Sequence, residues 1–286
     1  MENILEIKNL SKKYDSFMLN NLSFRLPKGS IMGFVGENGA GKTTTLKLIL
    51  NLIRRDSGSV RIFGLDNIKE EKRIKEDLGV VFDENCFHEL FTVQDINRIL
   101  KGVYKNWDEA LFFQYMKDFG LAGKKTIKEF SRGMKMKLSI AAALSHHPKF
   151  LLLDEATSGL DPIVRNEILD IFLDFIQDEE HGVLFSSHIT GDLEKVADYV
   201  TFIHEGNLIF SKSKDELLYD YGILKCGTND LAKIDSADIV KTKKNAFGYE
   251  VLISDKRKNA SKYKSFVLDN TTIEDIMLFY SGRERE

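Results

Sequence analysis

Gly36-Glu37-Asn38-Gly39-Ala40-Gly41-Lys42-Thr43 is the stretch that decides the fold. Ahead of it, Ile31–Val35 is a continuous apolar run, the mark of a buried strand. Behind it, Leu46, Ile49, Leu50 and Ile53 fall at i, i+3, i+4 and i+7, one face of a helix. A strand, a glycine-rich turn and a helix in succession are the context that makes G-x-x-x-x-G-K-[ST] a phosphate-binding loop. Small residues let successive backbone N–H groups turn inward as an anion nest, and the following helix directs its N-terminus at the phosphates. Lys42 is expected to reach the β- and γ-phosphates, and the Thr43 hydroxyl to ligate Mg²⁺. Gly36, Asn38, Gly39, Ala40, Gly41, Lys42, Thr43 and Thr44 are thus the expected nucleotide-binding residues.

Working outward, residues 1–30 read as β structure, with Leu22, Phe24 and Leu26 alternating with polar neighbours and Pro27-Lys28-Gly29 as a turn. Residues 84–146 read as mostly helical. Phe150–Leu153 and Val183–Phe185 are two more apolar strands, separated by a helical face at Val164, Ile168, Ile171, Phe172 and Phe175. A helix at about 190–198 follows, then a hairpin around Glu205-Gly206-Asn207. Strands alternating with helices predict an α/β fold with a largely parallel sheet. Residues 214–286 change texture, rich in Lys and Asp, and predict a small α/β appendage ending in a helix over Ile273–Tyr280.

Two of the apolar strands end in groups suited to phosphate chemistry. Phe150–Leu153 runs into Asp154-Glu155. In a P-loop protein the first acid at such a strand tip holds Mg²⁺, and the second is placed to polarise an attacking water. His188 directly follows the Val183–Ser187 strand, where a γ-phosphate or that water would lie. Ser131 and Gly133 open a helix and form a second potential anion site, although from spacing alone an ordinary N-cap is the better reading.

Composition narrows the class. The 286 residues are 43% hydrophobic and 30% charged, enough to bury a core without a disulfide scaffold. A net charge of −3 argues against a broad grip on nucleic acid, and none is expected as a partner. Cys86 and Cys226 lie far apart and outside any metal-ligand spacing, as in a reduced cytoplasmic chain. The N-terminus lacks a secretory pattern, and no apolar run approaches the roughly 20 residues of a membrane span. If the protein works at a membrane, another chain does the crossing.

In motif order, the set over about residues 4–225 resembles the ATP-binding subunits of ABC transporters. Residues 36–43 resemble the Walker A motif and Phe150–Asp154 the Walker B motif. Glu155 matches the catalytic glutamate, His188 the switch histidine, and Ser158-Gly159-Leu160-Asp161 the D-loop. Tyr14 matches the aromatic that stacks on adenine, and Ser131–Met134 lies at the signature position, where Ser131 and Gly133 would contact the γ-phosphate. The resemblance implies a P-loop NTPase cassette over residues 1–213. It would have a mainly parallel core sheet, an antiparallel β subdomain and a helical subdomain at about 84–146, with the appendage at 214–286. It also implies ATP and Mg²⁺, catalysis through Glu155, His188 and Lys42, and a homodimer or heterodimer in which Asp161 bridges the two sites. The remaining partner would be a separate permease chain, reached through residues 84–106 with Phe87, Leu90, Phe91 and Trp107 as candidate apolar contacts or as core of the helical subdomain. The chain would then sit peripherally on the inner face of the membrane. Three departures stand out: Arg132 and Met134 in Phe130-Ser131-Arg132-Gly133-Met134, an acid (Asp83, or Glu84 by a shift of one) where the family has its Q-loop glutamine, and Ala156 in place of proline. Asp83 there would serve Mg²⁺ through water. The FSRGM-K form, the acidic Q-loop position and the short C-terminal appendage are similar to those of bacterial exporter ATPases for drugs, lipids and peptides. The alternative is a soluble single-cassette ATPase of the iron–sulfur assembly type.

Overall fold

The computed structural model describes residues 2–121 and 123–281. It divides into two compact units, Met1–Ile209 and Phe210–Glu286. The division falls inside a strand, a few residues before the point where composition changes.

The first unit opens with strands β1 (Asn3–Lys13), β2 (Met18–Pro27) and β3 (Ser30–Val35), helix α1 (Lys42–Ile49), strands β4 (Ser57–Ile62) and β5 (Leu65–Asp66), helix α2 (Glu71–Glu76) and strand β6 (Leu78–Val81). Helices α3 (Val93–Val103), α4 (Glu109–Asp118) and α5 (Arg132–Leu144) follow. The core resumes with β7 (Phe150–Leu153), α6 (Pro162–Phe175), β8 (Gly182–Ser187), α7 (Thr190–Val196), β9 (Tyr199–His204) and β10 (Asn207–Ser213). The strands form one sheet in the order β5-β4-β1-β2-β10-β9-β3-β8-β7-β6. Its β9-β3-β8-β7-β6 half is parallel, and β1 pairs antiparallel with β2 and β4 in the other half. All residues of β3, β7 and β8 are buried, which is why they read as unbroken apolar runs.

The helical insertion is held by sequence-local caps. Thr92 and Asp95 form a capping box on α3, Asp108 caps α4 and Ser131 caps α5. Segments 84–92, 119–121 and 123–126 are irregular, so the region is less continuously helical than its periodicity suggests. Its own core gathers Val93, Ile96, Phe112, Met116, Ile127 and Leu138. Phe87, Phe91 and Trp107 pack against that cluster, and the Trp107 indole N–H donates to Asn97 at 2.8 Å. All three are half-buried against the subdomain core. Leu90, at 68% exposure, is the exception.

The second unit is an antiparallel sheet in the order β12-β13-β11-β14, from β11 (Gly222–Cys226), β12 (Ile239–Asn245), β13 (Gly248–Ile253) and β14 (Val267–Asn270). Helices α8 (Lys214–Tyr219), α9 (Lys256–Lys262) and α10 (Ile273–Ser281) complete it. Leu224, Val251, Ile253 and Tyr263 form its core.

Candidate functional site

Three parallel strands carry the chemistry to one edge. β8 lies between β3 and β7, with Val35 level with Ser187 and Leu153 level with Phe185. Neighbouring strands stand about 4.8 Å apart, so the segments that leave these three ends emerge side by side. They are the glycine-rich loop, Asp154-Glu155 and His188. A crevice beyond the carboxyl ends of parallel strands is where α/β sheets bind ligands.

In the loop, Gly39 and Gly41 take φ of +85° and +108°, a region that side chains with a Cβ avoid. Gly41 is the N-cap of α1 and supplies no side-chain cap, which leaves first-turn N–H groups for an anion. A Cβ there would also lie 2.8 Å from Phe17. Phe17 closes a tight turn with Tyr14, whose N–H donates to the Phe17 carbonyl at 2.7 Å. Tyr14 thus stands on the turn that flanks the loop, 42% exposed, with the Lys12 ammonium 5.6 Å from its ring. Thr43 is exposed and Thr44 half-buried on the first turn of α1.

Lys42 is only 6% exposed. Its ammonium donates to the Gly36 carbonyl at 2.7 Å and the Glu37 carbonyl at 3.4 Å, and lies 3.1 Å from Glu155 Oε1. The other Glu155 oxygen is 2.7 Å from His188 Nδ1. The three expected catalytic residues therefore form one connected cluster. Glu155 has φ of +51°, uncommon and costly for a residue with a side chain. Its neighbour Ala156 is buried.

Ser186 holds the two acids in place. Its hydroxyl donates to Asp154 Oδ1 at 2.6 Å and accepts from the Glu155 N–H at 2.9 Å. Sequence reasoning passed over this residue. The available signal was the pair Ser186-Ser187 at the end of an apolar buried strand, where hydroxyls need partners. Asp154 itself is 4% exposed.

The remaining expected residues lie on other segments. Ser131 accepts from the Met134 N–H at 3.2 Å as the N-cap of α5, and Gly133 follows on its first turn. Asp161 accepts from the Ile163 and Val164 N–H groups, both at 3.1 Å, as the N-cap of α6. Asp83 is engaged by Arg132, whose guanidinium donates to it at 2.5 Å. Lys135 and Lys137 pair with Glu89 and Glu167.

Chemically, a buried ammonium, a carboxylate and an imidazole converge beside a helix N-terminus built to receive an anion. That set suits phosphoryl transfer to water: cationic and N–H groups offset phosphate charge, and a carboxylate is placed to activate the nucleophile.

Comparison with known proteins agrees with this geometry. The family profile described as ABC transporter matches residues 19–158. The bacitracin transport ATP-binding protein BcrA of Bacillus licheniformis is 35% identical over 77% of this chain and 72% of its own. The lantibiotic transport ATP-binding protein SrtF of Streptococcus pyogenes is 34% identical over 74% of this chain and 92% of its own. Among solved structures, an ATP-binding subunit of an ABC transporter superposes with a TM-score of 0.68 at 25% identity, covering 75% of this chain and 91% of that one. With the motif order, the three converging strand tips and these relatives together, the chain belongs to the family of ABC transporter ATP-binding subunits, which hydrolyse ATP.

Proposed function

We propose that this chain energises a membrane exporter of drugs, peptides or lipids by hydrolysing ATP, and that a separate permease chain carries the substrate path. The Lys42–Glu155–His188 cluster supports turnover rather than mere nucleotide binding. Glu155 takes the proton of the attacking water, His188 orients Glu155, and Lys42 offsets charge on the β- and γ-phosphates. Thr43, on the first turn of α1, and Asp154, just past the end of β7, are hard oxygen donors, with Asp154 fixed by Ser186, and that set fits Mg²⁺. Bound there, the ion would neutralise phosphate charge. Tyr14 stacks on adenine, and Ser131, Gly133 and Asp161 act across a dimer of two such chains.

The export reading leans on relatives that are named for bacitracin and lantibiotic transport. No helix among the described residues is long and apolar enough to cross a membrane, so a membrane role needs a partner. A groove of about 770 Å³, lined in part by Leu52, Phe82, Val103, Tyr104 and His146, is our candidate seat for a short helix of that permease. Leu52 and Val103 are 52% and 67% exposed there.

The test is co-purification from detergent-solubilised host membranes of tagged Glu155→Gln, with ATP present. Recovery of a multi-spanning protein, weakened by Leu52→Glu or Val103→Glu, is the expected result. Recovery from the soluble fraction alone, with cytosolic partners or none, would replace this reading with a non-transport ATPase.

A further inference from the structure

Two of the departures noted in the sequence meet in space. Arg132, the first residue of α5, and Asp83, two residues beyond β6, are 49 positions apart, yet Arg132 Nη2 donates to Asp83 Oδ1 at 2.5 Å. The guanidinium also lies against the turn after Glu155. A Cβ on Gly159 would stand 3.2 Å from Arg132 Cζ and Nη1, a tight contact to which the guanidinium would have to yield by a few tenths of an ångström. One side chain therefore touches the segments that follow β6 and β7 while it opens α5.

The neighbours reinforce the pattern. Lys135 on the next turn of α5 lies 3.8 Å from Glu89, and Lys137 pairs with Glu167 of α6. A recess of about 440 Å³ runs beside the pair, lined by Asp83, Glu84, Arg132 and Lys135 among others. The Asp83 and Arg132 side chains remain 45% and 50% exposed. An ion pair that wet adds little to global stability and is readily exchanged. Its consequence lies in where it ties the chain: it holds Asp83 to the start of α5, with the guanidinium beside Gly159, four residues beyond Glu155.

We propose that Arg132 is a positioning residue for ATP turnover, acting through its bond to Asp83 and its packing on Gly159. The pair couples the start of α5 to the segments after β6 and β7, so neither charge functions without the other. This rests on the ATPase reading above. Asp83→Gln and Arg132→Gly each remove one end, and the double variant removes both.

The experiment is a double-mutant cycle in the full chain. It measures kcat and KM for ATP hydrolysis at low and high salt, with thermal unfolding as the check on folding and Arg132→Lys as the conservative variant. Each single change should lower kcat several-fold with KM and the unfolding midpoint nearly unchanged. The double should fall no further than either single, a several-fold coupling that shrinks with added salt. Arg132→Lys should retain most of kcat. Singles whose effects simply multiply in the double, or losses that track the unfolding midpoint instead of kcat, would overturn the proposal. Absence of Glu155-dependent hydrolysis in the parent would overturn the ATPase reading itself.

Discussion

Two lysines in this chain each bind more than one acceptor, and only one of them stands at a site. Lys42, in the first unit, is 6% exposed and lies where three parallel strands end, between backbone carbonyls and Glu155. Lys262, in the second unit, bridges Asp235 at 3.1 Å and Asp238 at 2.6 Å with its side chain 42% exposed. Asp238 also accepts from the Tyr263 hydroxyl at 2.7 Å. Both are well formed ion networks. In the first, burial strengthens every charge and aligned strand tips leave room for a ligand. In the second, water screens the charges and the network staples α9 to the segment before β12. A count of ion pairs would rank them together, whereas their surroundings separate them.

The largest expected break in that contrast is Glu155→Gln. Loss of a positioned general base costs about 10²–10⁴ in rate, so steady-state ATP hydrolysis should fall at least a hundredfold while nucleotide binding persists. Retained turnover would remove Glu155 from its assigned role. Next is Ser186→Ala, which leaves Asp154 and the Glu155 N–H without their shared partner. Hydrogen bonds to charged groups contribute about 1.5–3 kcal/mol. Turnover should drop about tenfold or more with a measurable loss in urea-unfolding stability, and an unchanged rate would mean the two acids are held by something else.

His146 sharpens the comparison on the stability side. It is buried, its Nε2 is 3.3 Å from the Leu78 carbonyl oxygen, and its ring stacks on Tyr104 at 4.0 Å. Burial pushes its imidazole below the ordinary 6.5. In the fold it stays neutral while the unfolded chain takes up a proton below that value. Its contribution is therefore complete above pH 6.5 and is lost as the pH falls towards the folded pKa. The slope is at most about 1.4 kcal/mol per pH unit. Denaturant melts from pH 5 to 7 should show that slope, and His146→Asn should flatten it.

The smallest effect is expected at Lys262→Met. ATP hydrolysis should not change. Lys262 is the main cause that holds the Asp238 carboxyl below its usual range. Stability from that shift is present above the ordinary 3.8 and fades as the pH falls through the folded value. The variant should thus differ from the parent only slightly at neutral pH, and the difference should vanish in strong acid. A loss of hydrolysis in this variant would mean that the second unit controls the first.

The cassette was legible in the chain because its motifs are contiguous. Gly36–Thr43 is a loop with its own strand and helix, Asp154-Glu155 and His188 each follow an apolar run, and Ser131 and Asp161 are helix caps that local hydrogen bonding alone explains. Period and adjacency are properties of the linear sequence, so they survive without coordinates. Strand order is different: only the fold sets β8 between β3 and β7, and that adjacency is what turns Lys42, Glu155 and His188 into one cluster and makes Ser186 the residue that holds two acids. The same holds for Arg132 and Asp83, two departures with no visible relation in the sequence that become a pair in space. Phe87, Phe91 and Trp107 are the converse case, because an aromatic at helical spacing reads alike whether it faces a partner or its own subdomain. Local chemistry follows from neighbours along the chain, whereas charge pairing and burial depend on long-range contacts that no short window contains.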